Sequence, residues 1–160
     1  MEFRGFVRKG ELRALSQYNH SFVSDKLVKN KEYIYEIIVT FFKERVQPAL
    51  CDHFQDYIVD FALTGSKWKD AQCCESEEEE RVWVIELNPY LESSDAALYS
   101  WKTDRDLLVG LEEEESAGCQ TSHCEDAKKP VECVTDFRIR DKFSKAVLAN
   151  IKSEWRAYLE

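Results

Sequence analysis

Three oxygen-bearing side chains, Asp60, Glu86 and Asn88, stand inside two otherwise apolar runs, Tyr57-Ile58-Val59-Asp60-Phe61-Ala62 and Arg81-Val82-Trp83-Val84-Ile85-Glu86-Leu87-Asn88. Alternate residues of an extended chain share a face, so Glu86 and Asn88 are expected on one side and Trp83, Ile85 and Leu87 on the other. Pro89 follows Asn88 and biases that residue toward extended geometry. If the two runs are adjacent antiparallel strands, Asp60 faces Glu86, and like charges opposed across a sheet call for compensation. Two compensations are open. A hard divalent cation suits two carboxylates and an amide, and Mg2+ commonly completes its shell with water and nucleotide phosphates. Alternatively, the acids pair with Arg4, Arg8 or Arg13 in a buried salt-bridge network. Arg4 itself is either an exposed edge residue or a phosphate ligand whose planar fork engages two oxygens. Gln17, in Ser16-Gln17-Tyr18, is either a polar strand end or a ligand contact.

The elements that must position these residues follow from spacing. Lys9-Gly10 lies between Phe3-Arg4-Gly5-Phe6-Val7-Arg8 and Glu11-Leu12-Arg13-Ala14-Leu15-Ser16-Gln17, which reads as a hairpin. Over residues 24–50, Leu27, Ile34, Ile37, Ile38, Phe41, Phe42 and Val46 recur mostly at helical steps, predicting a long amphipathic helix that Pro48 ends. Phe41 and Phe42 are expected in the core. Residues 53–62 and 81–88 are strands, joined by a solvated loop over 64–80 that contains Glu77 to Glu80. A short helix is expected over 94–101, disorder over 103–136 where the composition turns acidic, and a last amphipathic helix over 138–159.

The chain has 160 residues, of which 44% are hydrophobic and 12% aromatic, enough for one packed core. A net charge of −9 argues against a general nucleic-acid or anionic-membrane binder, since a phosphate surface repels it. No stretch has the apolar length of a membrane span, and Met1-Glu2-Phe3-Arg4 does not open like a signal peptide, so a cytoplasmic location is expected. The six cysteines show no repeated CxxC spacing and are read as reduced thiols. Cys119, His123, Cys124 and Cys133 form a zinc-like cluster only loosely, because their spacing fits no standard finger.

Taken in order, Glu2-Phe3-Arg4-Gly5-Phe6-Val7, Leu15-Ser16-Gln17, Val59-Asp60-Phe61, Val84-Ile85-Glu86-Leu87-Asn88-Pro89-Tyr90 and Ser93-Ser94-Asp95-Ala96-Ala97-Leu98-Tyr99-Ser100-Trp101 resemble the carboxyl-terminal half of the cell division cycle protein 123 family. The likeness spans residues 2–101 and implies an α+β, ATP-grasp-like subdomain with a mostly antiparallel sheet. Three regions are then expected: a partial ATP-grasp-like domain over 1–102, an acidic segment over 103–136 and a terminal amphipathic helix over 137–160. By this resemblance Asp60, Glu86 and Asn88 take the Mg2+ and ATP role, Arg4 lies near the phosphates, and Gln17 matches a segment near the nucleotide cleft. The family acts in the cytosol as an assembly chaperone that binds the gamma subunit of eukaryotic translation initiation factor 2. A non-catalytic ATP-binding role is implied, with an ATP-grasp ligase forming an acyl phosphate as the alternative. Glu86 stands where the family usually has aspartate, and Tyr18-Asn19 where it tends to have Arg-Asp. The tail after Trp101 matches no segment of the family. The family's amino-terminal half, with its lid, adenine pocket and phosphate-binding lysine, has no counterpart here, so this chain is expected to be a truncated form with weakened ATP binding.

Overall fold

The computed structural model describes residues 1–65, 79–110 and 135–142. Within them, β1 (Glu2–Arg8), β2 (Glu11–Gln17), β3 (Tyr57–Thr64), β4 (Arg81–Pro89) and β5 (Asp136–Arg138) form one sheet in the order β4-β3-β1-β2-β5. Every neighbouring pair is antiparallel except β2 and β5, so the α+β class and the mostly antiparallel sheet are as expected. β1 and β2 make the expected hairpin. Lys9 and Gly10 have φ of 53° and 75°, the left-handed pair of a type I′ turn whose twist matches its strands.

One face of the sheet carries Phe3, Val7, Leu15, Val59, Phe61 and Leu63, and these pack against Leu27, Ile34, Ile38, Phe42 and Val46. Phe42 is thus a core residue as expected, and Phe41 packs beside it with its ring edge-on to Phe61. The covering helical stretch is not the single rod predicted. α1 (Asp25–Lys29) ends at Asn30, whose φ is −110° and whose Nδ2 donates to the Lys26 carbonyl at 2.8 Å. α2 (Lys31–Phe41) then runs into a π turn at Phe42–Val46 and α3 (Gln47–Leu50). Pro48 does not end the helix. It falls in the first turn of α3, where its missing N–H is least costly.

On the opposite face, Phe6, Ala14 and Ile58 meet Ala96, Tyr99 and Leu108, with Tyr90, Trp101 and Leu107 alongside. This layer departs from expectation. Residues 94–101 form turns rather than a helix, because the Asp95 carboxylate accepts the Ala97 N–H at 2.9 Å and Ala97 turns left-handed with φ of 53°. Residues 103–110 are ordered, with α4 (Arg105–Val109) burying Leu108 completely. Arg138, where the last helix was expected to begin, is instead in β5, and residues 139–142 are not helical. The rest of that predicted helix, the acidic tract 112–115, the loop 66–78 and the zinc-like cluster lie outside the described residues.

Gly5 sits where β1 is pressed between its neighbours. A Cβ there would meet Leu12 Cδ1 at 2.8 Å, Phe61 Cε2 at 3.0 Å and Val59 Cγ1 at 3.1 Å. Gly5→Ala is therefore expected to lower stability by about 1–3 kcal/mol through overpacking. Urea unfolding checks this, and an unchanged midpoint would mean the three strands are less tightly apposed than described.

Candidate functional site

β3 and β4 are adjacent and antiparallel, with Asp60 opposite Glu86 and Asn88 opposite Ile58. Residues directly opposed in such a pair share a face, so Asp60, Glu86 and Asn88 project to one side, as their spacing demanded. The register shifts between Asp60 and Phe61, leaving Ile85 as the extra residue of a bulge. That bulge corrects one expectation. Trp83 pairs with Ala62 and so lies on the Glu86 side, where its Nε1 donates to Thr64 Oγ1 at 3.2 Å.

The pairings extend this arrangement into a row across the whole sheet. Glu86, Asp60, Arg4, Ser16 and Arg138 stand opposite one another on β4, β3, β1, β2 and β5 in turn. Arg4 is not an edge residue: β1 is the central strand and Arg4 is buried. Its Nε and Nη2 donate to Asp60 Oδ1 and Oδ2 at 2.8 and 2.7 Å, and its Nη1 donates to the Asp95 carbonyl at 2.8 Å. The Tyr18 ring lies against the guanidinium, 4.7 Å from its carbon to the ring centroid. The hydrogen bonds and charge of Asp60 outweigh burial and raise the Arg4 pKa above its ordinary value, so the group is always charged. The salt-bridge compensation left open above is therefore present for Asp60. Arg8 goes elsewhere, pairing with the exposed Asp56 at 2.5 Å.

Glu86 is exposed, and among the described residues its carboxylate has no ion-pair or hydrogen-bond partner. Asn88 is half-buried and its Nδ2 donates to Asp60 Oδ2 at 3.3 Å. Asp60, Glu86 and Asn88 are the oxygen-bearing residues on this face that would hold a cation such as Mg2+, with Glu86 the one carboxylate of the set not already engaged by Arg4. Among the described residues no group of three or more His, Cys, Asp or Glu gathers as a metal site by itself. A cavity of about 530 Å3 opens beside Asn88, walled by Arg8, Phe54, Tyr57, Leu87, Pro89 and Tyr90. Burial pushes the Tyr57 and Tyr90 hydroxyls up to about 12, so both stay neutral donors at physiological pH.

Gln17 does not join the cluster. It stands opposite Phe3 and so points to the helix-covered face. Its Nε2 donates to the Asn19 and Phe22 carbonyls at 2.7 and 2.6 Å, and its Oε1 accepts the Arg140 N–H at 3.0 Å. Its polar atoms thus tie together two chain segments within the fold. Four contributors were not anticipated. Ser16 accepts the Leu98 N–H at 3.1 Å, Asp95 offers a backbone carbonyl, Tyr18 supplies a ring, and Arg138 donates to Asp104 Oδ1 at 2.8 Å. That last hydrogen bond holds the Asp104 carboxyl below the usual carboxylate range. Ser16 alone carried a sequence signal, as a polar residue in an apolar run.

The model of the D123 family matches residues 1–153. This chain belongs to the D123 family. The likeness therefore continues past Trp101, correcting the expectation that the tail has no counterpart in the family, and β5 is part of the matched region. The chain is 32% identical to the translation initiation factor eIF2 assembly protein of Xenopus laevis over 123 residues, 75% of this chain and 32% of that protein. It is 29% identical to the protein of the same name from Dictyostelium discoideum over 143 residues, 88% of this chain and 33% of that one. The chain thus spans about a third of the length of these relatives. In fold it is similar to C-terminally truncated Cdc123 from Schizosaccharomyces pombe, with a TM-score of 0.50 and 21% identity over 68% of this chain and 35% of that one.

Removing the Asp60 carboxylate leaves a buried, unpaired guanidinium. Asp60→Ala is expected to destabilise the chain by about 3–5 kcal/mol, whereas Glu86→Gln, at an exposed position, changes stability by less than about 0.5 kcal/mol. Parallel urea titrations check the contrast, and equal effects would show that Asp60 is not buried against Arg4.

Proposed function

We propose that this chain carries a Mg2+ and ATP site on the Asp60 face of its sheet and acts as an assembly chaperone for eukaryotic translation initiation factor 2, engaging the gamma subunit. The observation that carries the reading is the placing of Asp60, Glu86 and Asn88 side by side on one face, in a chain whose relatives are named for eIF2 assembly. Asp60, Glu86 and Asn88 hold the cation, which supplies neutralisation of phosphate charge when bound. Arg4 adds fixed positive charge beside them.

Affinity of this chain alone is low. The chain spans about a third of its relatives, and tight nucleotide sites draw on several charge-assisted contacts worth roughly 1.5–3 kcal/mol each. The nucleotide shapes or regulates a partner surface rather than undergoing a committed ligase reaction, and the protein works in the cytoplasm.

Two measurements test this. Calorimetric titration of MgATP is expected to give weak heats that vanish in Glu86→Gln and Asn88→Ala, both chosen to leave the Arg4–Asp60 pair in place. Comparable heats from wild type and both variants would remove these residues from the site. A pull-down with isolated gamma subunit is expected to retain it, and failure under conditions where the Xenopus relative succeeds would remove the partner assignment from this chain.

A further inference from the structure

The Arg4 guanidinium is fixed from every side. Three of its five N–H donors are used in its plane, two by the Asp60 carboxylate and one by the Asp95 carbonyl, and the Tyr18 ring covers its face. It lies on the central strand, so it cannot swing away without breaking all of these contacts together. Asp60 therefore already has a cation. Glu86 is exposed and without a partner among the described residues, and Asn88 presents its amide nitrogen to Asp60.

From this geometry we infer that Arg4 is the resident counter-cation of the cluster, and that the site takes a divalent cation only together with a polyphosphate, never as the free ion. The inference rests on the nucleotide reading above and states how that site is controlled. For a free ion the cluster offers one uncompensated carboxylate and one amide, with a fixed positive charge next to them. That is a poor site for a cation that dehydrates reluctantly and normally relies on substrate phosphates. A polyphosphate reverses the balance: its oxygens bring the missing negative charge, and Glu86 and Asn88, beside Asp60, complete the cation's shell next to the fixed Arg4 charge. Tyr18 acts as a positioning residue by holding the guanidinium flat against Asp60.

Equilibrium dialysis of the full chain against Mn2+, with and without ATP, tests the inference, with metal and nucleotide counted separately. Wild type is expected to retain Mn2+ at least ten-fold more weakly alone than with ATP. Arg4→Met, which strips Asp60 of its cation, is expected to retain Mn2+ alone at least ten-fold more tightly than wild type. Because that variant is destabilised, its melting temperature is followed as well. Mn2+ should raise it by several degrees while leaving wild type unmoved, since the metal replaces the lost charge. Tyr18→Leu, a milder change, should show a smaller gain of the same sign. Equal retention of Mn2+ by wild type with and without ATP overturns the inference, as does an Arg4→Met chain that Mn2+ neither binds nor restores. If Glu86→Gln abolishes retention with ATP while Arg4→Met gains nothing, the nucleotide reading stands and this inference fails. If Arg4→Met gains Mn2+ but no form retains ATP, Arg4 is the counter-cation and the nucleotide reading fails.

Discussion

The bidentate pair between Arg4 and Asp60 joins the central strand to its neighbour at the point where charge would otherwise be least tolerable. Both residues are nearly sealed from solvent, and each would be an isolated buried ion without the other. An ion pair of this kind adds little net stability over well-packed apolar residues of the same volume, because desolvation offsets the attraction. Its consequence lies in geometry. With Arg4 locked to Asp60, the third fork of the guanidinium is aimed at the Asp95 carbonyl, and the turn over 94–101 is drawn down onto the sheet. Ser16 and Tyr99 complete that anchoring, through the Leu98 N–H and through the Tyr99 hydroxyl's contact with the Leu15 carbonyl at 3.0 Å. One polar row thus helps organise a layer that also packs by aromatic edges, Tyr99 and Trp101 against Phe6.

The sheet is asymmetric about this row. Toward β5 the row is covered by the turn layer, and Arg138 is absorbed by Asp104 and Asp136. Toward β4 it runs out to an edge strand, where Trp83, Ile85 and Leu87 are each about half exposed and Glu86 faces outward. The bulge at Ile85 bends that edge and brings Trp83 to the Glu86 side. Among the described residues no further strand lies beyond β4, so these outward side chains stand at one edge of the sheet.

Much of this was legible from residue order alone. The β1–β2 hairpin, the β3–β4 pairing and the shared face of Asp60, Glu86 and Asn88 follow from period-two alternation and from a Lys-Gly turn, all local rules. What was not legible depended on contacts distant in sequence. No spacing rule tells that Arg4 meets Asp60 rather than Glu86, or that a backbone carbonyl at Asp95 completes its shell. A bulge is nearly silent in sequence, so Trp83 was assigned to the wrong side. Gln17 was open as a polar strand end or a ligand contact, with only the family resemblance placing it near a nucleotide cleft, and parity along β2 sends it to the helix-covered face. The helix over 24–50 was recognised by its apolar stripe, but Asn30, with a side chain that competes for backbone hydrogen bonds, divides it. Residues 94–101 failed as a helix for the same reason, through Asp95.

The central claim is that Arg4 is held by Asp60 in the folded chain before any ligand arrives, and nuclear magnetic resonance of the Arg4 Nε–H reports on this directly. The account predicts a single resolved Nε–H resonance, slow to exchange with water and lost in Arg4→Lys, that is present in the ligand-free chain. A fast-exchanging Arg4 signal, merged with those of exposed arginines, would contradict it.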